Sequence, residues 1–131
     1  MNMFRRGLAA LLACALFASS AIAQQWVSTS TARGTTITVG GTSQTLAAAN
    51  PLRRSLVIQN PCSAASQGIA AAENIVINLT SAATINGSGN FAELPPCYSM
   101  TLRVADGVIN QELITVNAAT TGHIIYAKEF Q

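Results

Sequence analysis

A strictly alternating segment between residues 97 and 104 decides the fold class. It is Cys97-Tyr98-Ser99-Met100-Thr101-Leu102-Arg103-Val104. Apolar side chains occupy every second position, which is the period of a β-strand with one buried face. We therefore predict a strand here, with its four apolar side chains from Tyr98 to Val104 in the core.

Shorter alternating runs are found at residues 36–39, 55–59, 74–80, 114–118 and 124–130. Turn-forming pairs separate them, among them Gly40-Gly41, Asn50-Pro51, Asn60-Pro61, Pro95-Pro96 and Thr121-Gly122. Gly40-Gly41 is expected to join the first run to a partner strand at 43–48, and residues 64–73 to form a single helical turn. The spacing predicts an all-β chain. We expect one antiparallel β-sandwich of about seven strands, with jelly-roll or immunoglobulin-like connections. Its predicted core also includes Leu56, Ile58, Ile75, Ile77, Leu79 and Val116.

Residues 1–23 have the three parts of a secretory signal peptide. Arg5 and Arg6 form a basic head, residues 8–18 are all apolar, and Ala21-Ile22-Ala23 supplies a cleavage site. Eleven apolar residues are too few to span a bilayer, which needs about 20. We predict a signal peptide at 1–23, an N-terminal arm at 24–34 and the sandwich domain at 35–131. The protein is expected in the periplasm or outside the cell, with no membrane span. An alternative treats residues 11–14, ending at Cys14, as a lipid-attachment site.

The charge balance argues against a nucleic-acid partner. The chain has seven Lys and Arg residues against five Asp and Glu residues, and two of the seven are Arg5 and Arg6. Five basic and five acidic residues therefore follow the predicted leader. A protein that neutralises phosphates needs a basic surface, for which this chain has no surplus charge.

Export gives the remaining cysteines a structural meaning. Two follow the leader, Cys62 and Cys97. An even pair in a small domain of an oxidising compartment predicts a disulfide. The alternatives are two separate thiols or a link between chains. Two cysteines and His123 fall short of the usual four zinc ligands, so neither a metal nor another cofactor is expected.

No motif in the chain indicates catalysis. His123 is the only histidine and Asp106 the only aspartate, and a Ser-His-Asp arrangement would need both. A G-x-S-x-G nucleophile turn does not occur, and nothing in the spacing of the glutamates selects a catalytic pair. We expect a structural or solvated His123, no catalytic residue and therefore a protein that is not an enzyme.

Three side chains are candidates for contact with a partner. Trp26 lies on the predicted arm, where it can pack on its own sandwich, anchor a neighbouring subunit or stack on a sugar. Arg53 and Arg54 form the only basic doublet after the leader. They fit either the solvated start of a strand or a contact with an acidic partner or a surface glycan.

Several segments resemble small β proteins encoded in the structural modules of tailed phages and prophages. They are Ala49-Asn50-Pro51 with Arg53 to Pro61, Gln67 to Ala70, Glu93-Leu94-Pro95, Val116 to His123 and Ala127 to Glu129. The resemblance covers about residues 35–130 and implies a virion-associated, non-enzymatic β-sandwich module whose partners are its own copies or neighbouring subunits. A signal peptide and a cysteine pair depart from that family, which indicates reuse of the fold in an exported protein. The alternative function is a secreted or periplasmic binding module for polysaccharide or a cell-surface partner.

Overall fold

The computed structural model describes residues 29–87, 89–104 and 111–131. Within these ranges the chain forms nine strands and one short helix. In chain order they are β1 (Ser30–Ala32), β2 (Thr35–Thr36), β3 (Gln44–Ala47), β4 (Ser55–Gln59), α1 (Ala64–Gln67), β5 (Ile75–Asn78), β6 (Ala92–Leu94), β7 (Ser99–Arg103), β8 (Ile114–Asn117) and β9 (Ile124–Phe130). Among these residues, α1 is too short to cross a membrane, and no longer apolar helix is found.

The strands form two antiparallel sheets, which confirms the predicted β-sandwich. The first sheet has the order β1-β9-β4-β7, and β2 also pairs with β9, beyond the end of β1. The second sheet has the order β3-β8-β5-β6. Because β1 belongs to the first sheet, the sandwich includes Ser30–Ala32, inside the segment predicted as an arm.

The strand order matches the jelly-roll alternative. With β1 and β2 counted as one interrupted strand, each sheet has four strands. Every connection crosses from one sheet to the other except that between β5 and β6. Such alternation between two four-stranded sheets is the jelly-roll arrangement.

Aliphatic side chains from both sheets fill the space between them. Leu56 and Ile58 of β4 face Ile75 and Ile77 of β5 across the core, and Val116 of β8 joins them. All five are fully buried, as the alternation predicts, because every second residue of a strand points to the same face.

The prediction of a core position is wrong for two residues. Tyr98 is 62% exposed and Val104 is 51% exposed, while Met100 between them is only partly buried. Both exposed residues flank β7, which among the described strands lies at the edge of its sheet and pairs only with β4. The alternation predicts on which face of the sheet a side chain lies. It does not show how far along the strand the opposite sheet covers that face.

The predicted hairpin across Gly40-Gly41 is also wrong. β2 pairs with β9 and β3 pairs with β8, so the two segments lie in different sheets. The two glycines lie in the connection that crosses from the first sheet to the second. A Cβ at Gly40 would collide with the carbonyl oxygen of Ala119, and Gly41 has a φ of 76°. Glycine is the residue that tolerates both conditions.

Candidate functional site

Two clusters of hydrogen-bonded polar side chains in the described part of the sandwich include fully buried ionisable side chains, and they are the sites at which chemistry could be sought. The first, here called the His123 cluster, consists of Asn60, Gln67, Glu73, Thr120 and His123. The second, here called the Glu129 cluster, consists of Arg33, Asn50, Arg53 and Glu129.

The single turn α1 carries Gln67 into the His123 cluster. Ser63 caps the turn, since its hydroxyl accepts a hydrogen bond from the backbone N–H of Ser66 at 3.1 Å. Gly68 ends the turn with a left-handed φ of 75°. Both residues are typical of helix ends, and together they limit the helix to one turn, as predicted. The last residue of the turn, Gln67, is fully buried.

Gln67 fastens the connection between β4 and β5. Its Nε2 donates to Asn60 Oδ1 at 2.8 Å and to the carbonyl oxygen of Pro61 at 3.0 Å. Its Oε1 accepts the backbone N–H of Glu73 at 3.0 Å. The amide nitrogen of Gln67 therefore faces hydrogen-bond acceptors, and its amide oxygen faces a donor. This arrangement fixes the orientation of the side-chain amide.

Asn60 is oriented in the same way. Its Nδ2 donates to the carbonyl oxygens of Glu73 and Leu94, both at 2.9 Å. Its Oδ1 therefore points towards Gln67 Nε2 and towards His123 Nε2, which lies 3.0 Å away. Because Oδ1 can only accept, Nε2 of His123 carries a proton and donates.

Glu73 accepts hydrogen bonds from three donors. Its Oε1 lies 3.0 Å from His123 Nδ1 and 2.8 Å from the backbone nitrogen of Thr120, whose hydroxyl donates to Oε2 at 2.8 Å. Burial alone would raise the pKa of Glu73. The hydrogen bonds from His123 and Thr120 outweigh it, so the pKa lies below its ordinary value. The imidazole of His123 is therefore held between the carboxylate of Glu73 and the side-chain amide of Asn60.

This geometry gives His123 a structural role. The imidazole is fully buried, and both ring nitrogens are occupied by partners from other segments. A general base needs a nitrogen within reach of its substrate, which this arrangement does not offer. His123 ties the start of β9 to Asn60 at the end of β4 and to Glu73, two residues before β5. Asp106, the other residue that a triad would require, lies outside the described residues.

The lowered pKa of Glu73 predicts acid sensitivity. A carboxyl whose pKa is lowered by folding stabilises the protein above its ordinary value of about 4.5 and loses that contribution as the pH falls through the lowered value. We expect Glu73→Gln to cost about 1–3 kcal/mol near neutral pH, because the hydrogen bonds that the ionised carboxylate accepts are stronger than those that a neutral amide oxygen accepts. The variant should also show a flatter loss of stability below about pH 4.5.

Urea unfolding between pH 3 and pH 7 measures both effects. Glu93→Gln is the matched control, because Glu93 is exposed and hydrogen-bonds only to Asn74 among the described residues. Equal pH slopes for the wild type and Glu73→Gln would contradict the assigned role of Glu73.

The Glu129 cluster is a buried ion pair. The side chains of Glu129 and Arg53 are both fully buried, and Glu129 Oε2 lies 3.5 Å from Arg53 Nε and 3.0 Å from Arg33 Nε. Asn50 Nδ2 donates to Oε1. Burial would raise the pKa of Glu129, but the bond from Asn50 and the charges of Arg53 and Arg33 together lower it.

Arg53 also holds two backbone segments. Its Nη1 donates to the carbonyl oxygen of Glu112 at 3.0 Å and its Nη2 to that of Ala48 at 2.5 Å. Arg53 fits neither expectation, a solvated strand start or a contact with an acidic partner or surface glycan, because its side chain is fully buried and bonded within the protein. Arg54 is exposed and stays a candidate contact, whereas Trp26 lies outside the described residues.

The structure confirms the disulfide between Cys62 and Cys97. Their Cα atoms are 4.0 Å apart, within the roughly 7 Å that a disulfide allows. Both residues are exposed, and both neighbour Asn60, whose carbonyl oxygen accepts the backbone N–H of Cys97 at 3.1 Å. The disulfide therefore joins the chain just after β4 to the chain just before β7, at one end of the first sheet.

The surface of the described residues carries grooves, of which two lie beside residues discussed above. One, of about 590 Å³, lies beside Leu52, Arg54 and Arg103. The other, of about 410 Å³, lies beside Glu73 and Glu93. Both carboxylates already accept hydrogen bonds within the protein. In the parts of the chain that the structure describes, no three His, Cys, Asp or Glu side chains are grouped as metal ligands.

Comparison of the chain with protein-family models, curated proteins and solved structures finds no match in any of the three.

Proposed function

We propose that the chain is an exported, non-enzymatic structural module that assembles with protein neighbours, as the phage-type β modules that it resembles do. The observation that carries the proposal is the open edge of β7. No described strand pairs with the side of β7 that faces away from β4. An unpaired strand edge presents rows of N–H and C=O groups to another chain.

β7 lacks the features by which proteins protect such edges. The edge strand β3 is interrupted by a bulge between Thr45 and Ala47, β6 has three residues, and the opposite edge of the first sheet is divided between β1 and β2. In contrast, β7 pairs with β4 over five consecutive residues without a bulge or proline, and Arg103 is its only charged residue. Bulges, short strands, charges and prolines are the usual protections against edge pairing.

The neighbouring surface also favours a protein partner. Tyr98 and Val104 flank β7 and are more than half exposed. Exposed aromatic and aliphatic side chains beside a hydrogen-bonding edge are typical of sites that another protein covers. The five acidic and five basic residues after the leader leave no net charge to keep neighbouring copies apart.

Two further features support the class of protein. Jelly rolls occur in viral capsid and lectin domains, which is an analogy at the level of the fold and not of the site. The disulfide fits an oxidising compartment, as expected for an exported protein.

The export half of the proposal predicts a processed chain. Protein recovered from the periplasm or the medium should lack residues 1–23 and begin at Gln24, because Ala21-Ile22-Ala23 is a signal-peptidase site. Intact mass and N-terminal sequencing measure this directly. A lipid on Cys14, or an intact leader on protein that stays in the cytoplasm, would contradict the prediction.

The proposed assembly with protein neighbours is tested in cells that naturally produce the protein. Exported material is separated by sedimentation and probed with an antibody to the chain. We expect the chain in large particles together with other structural proteins. A chain that is found only as small free species would overturn the proposed function, and retention on an immobilised polysaccharide would instead favour the binding-module alternative.

A further inference from the structure

We propose that β7 pairs with β7 of a second copy of this chain, antiparallel and about a two-fold axis at Thr101, so that two first sheets join into one continuous sheet. The inference rests on the proposed function and names the partner of the same edge. It follows from the hydrogen-bonding pattern of the edge and from the order of side chains along it.

The backbone groups that face outward are fixed by the pairing with β4. The N–H of Asn60 donates to the carbonyl oxygen of Tyr98 at 3.0 Å, and the N–H of Val104 donates to that of Arg54 at 3.1 Å. The direction of hydrogen bonding alternates along an antiparallel strand. The even-numbered residues of β7 therefore bond to β4, and Ser99, Thr101 and Arg103 direct their N–H and C=O groups to the open side.

A two-fold axis at Thr101 satisfies all of these outward groups. Thr101 then lies opposite Thr101 of the second copy, and Ser99 of each copy lies opposite Arg103 of the other. Each of these three residue pairs exchanges two backbone hydrogen bonds, as hydrogen-bonded pairs in an antiparallel ladder do. Threonine pairs across neighbouring strands are themselves favourable.

The same register covers the exposed apolar residues that flank β7. Tyr98 of each copy comes to lie opposite Val104 of the other, and these are the two side chains at 62% and 51% exposure. Met100, which is only partly buried, comes to lie opposite Leu102 of the second copy. The strand is therefore complementary to itself on both its polar and its apolar side.

Charge does not oppose this register. Arg103 faces a serine, and the two copies of Arg103 are four residues apart along the strands, or roughly 14 Å at about 3.4 Å per residue. That separation exceeds the screening length of about 8–10 Å at ordinary ionic strength.

The test is a charge swap at Thr101 in the full exported chain, with molar mass measured by light scattering during size exclusion. We expect wild type and Thr101→Val to be dimers. Thr101→Lys and Thr101→Glu, each alone, should dissociate at least about 10-fold more readily, because each places two like charges opposite one another. An equimolar mixture of the two variants should form dimers of one chain of each.

Thr31→Lys is the matched control, since Thr31 is an exposed residue of β1 at the opposite edge of the same sheet. It should leave the dimer intact. Circular dichroism of each single variant shows whether its fold is unchanged, and recovery of the dimer in the mixture requires two folded partners.

Four results would overturn the inference: a monomeric wild type, a dimer that survives Thr101→Lys, a dimer that is lost in Thr31→Lys, or a mixture that stays monomeric. None of these four results confirms or contradicts the proposed function. A wild-type monomer can still sediment within particles through other partners, and a Thr101-dependent dimer that never enters particles would overturn the function alone.

Discussion

Glu129→Leu is expected to lower the free energy of unfolding by about 3–5 kcal/mol, the cost of leaving one partner of a buried ion pair alone. Arg53, fully buried, would keep its charge without the carboxylate that lies 3.5 Å from its Nε. Its two bonds to backbone carbonyl oxygens would remain, but they do not neutralise a guanidinium. Urea unfolding at neutral pH measures the loss.

A double variant separates the charge effect from the loss of packing. Arg53→Met in the Glu129→Leu background removes both charges and keeps apolar volume, so it should recover at least half of the loss. Arg33→Met is the matched control. Arg33 contacts the same carboxylate but is 34% exposed, so its removal should cost no more than about 1 kcal/mol.

Equal costs for Glu129→Leu and Arg33→Met would contradict the importance of the buried pair. So would a double variant that is less stable than Glu129→Leu, because the excess would then reflect lost packing and lost backbone contacts of Arg53.

The sheets could be predicted from the sequence because burial imposes a period of two on each strand. Leu56, Ile58 and Ile77 occupy the buried positions that the alternation assigns to them. The hairpin at Gly40-Gly41 failed because a glycine pair indicates a turn without indicating whether the chain pairs with itself or crosses to the other sheet. That choice depends on β8 and β9, more than 65 residues further along the chain.

The sequence contains a signal for the Glu129 cluster that a search for catalytic motifs does not detect. Glu129 occupies the same alternating positions of β9 as Ile125 and Ala127, so its carboxylate faces the core and needs a buried cation. Arg53 supplies that cation, but strand alternation alone does not identify a partner 76 positions away.

The His123 cluster had a weaker signal. Asn60 and His123 each lie beside a turn, where polar residues are ordinary. Gln67 lies on a single helical turn, and no periodicity indicates which face of one turn is buried. These contacts depend on how the β4–β5 and β8–β9 connections lie relative to each other in three dimensions, which the sequence does not reveal.

Removing the disulfide is expected to lower the free energy of unfolding by about 3–4 kcal/mol in the double variant Cys62→Ala, Cys97→Ala. The bond joins residues 35 positions apart, and closing a loop of that length lowers the entropy of the unfolded chain by about that much. The residues are exposed, so the substitution creates no cavity. The loss should therefore come mainly from the unfolded state.

Three measurements check this origin. Denatured, non-reduced wild-type protein should show no free thiol among Cys62 and Cys97. Urea unfolding should give the double variant the same stability with and without a reductant, whereas the wild type should fall to the level of the variant when it is reduced.

The folded state provides the deciding comparison. Asn60 neighbours the bond through the N–H of Cys97, but Gln67, His123 and two backbone carbonyl oxygens hold its side chain independently of the cysteines. The imidazole resonances of His123 should therefore be unchanged in the folded double variant. A shifted His123 signal would show that the bond also shapes the folded cluster, and a loss well under 1 kcal/mol would show that the 62–97 loop is already restrained in the unfolded chain.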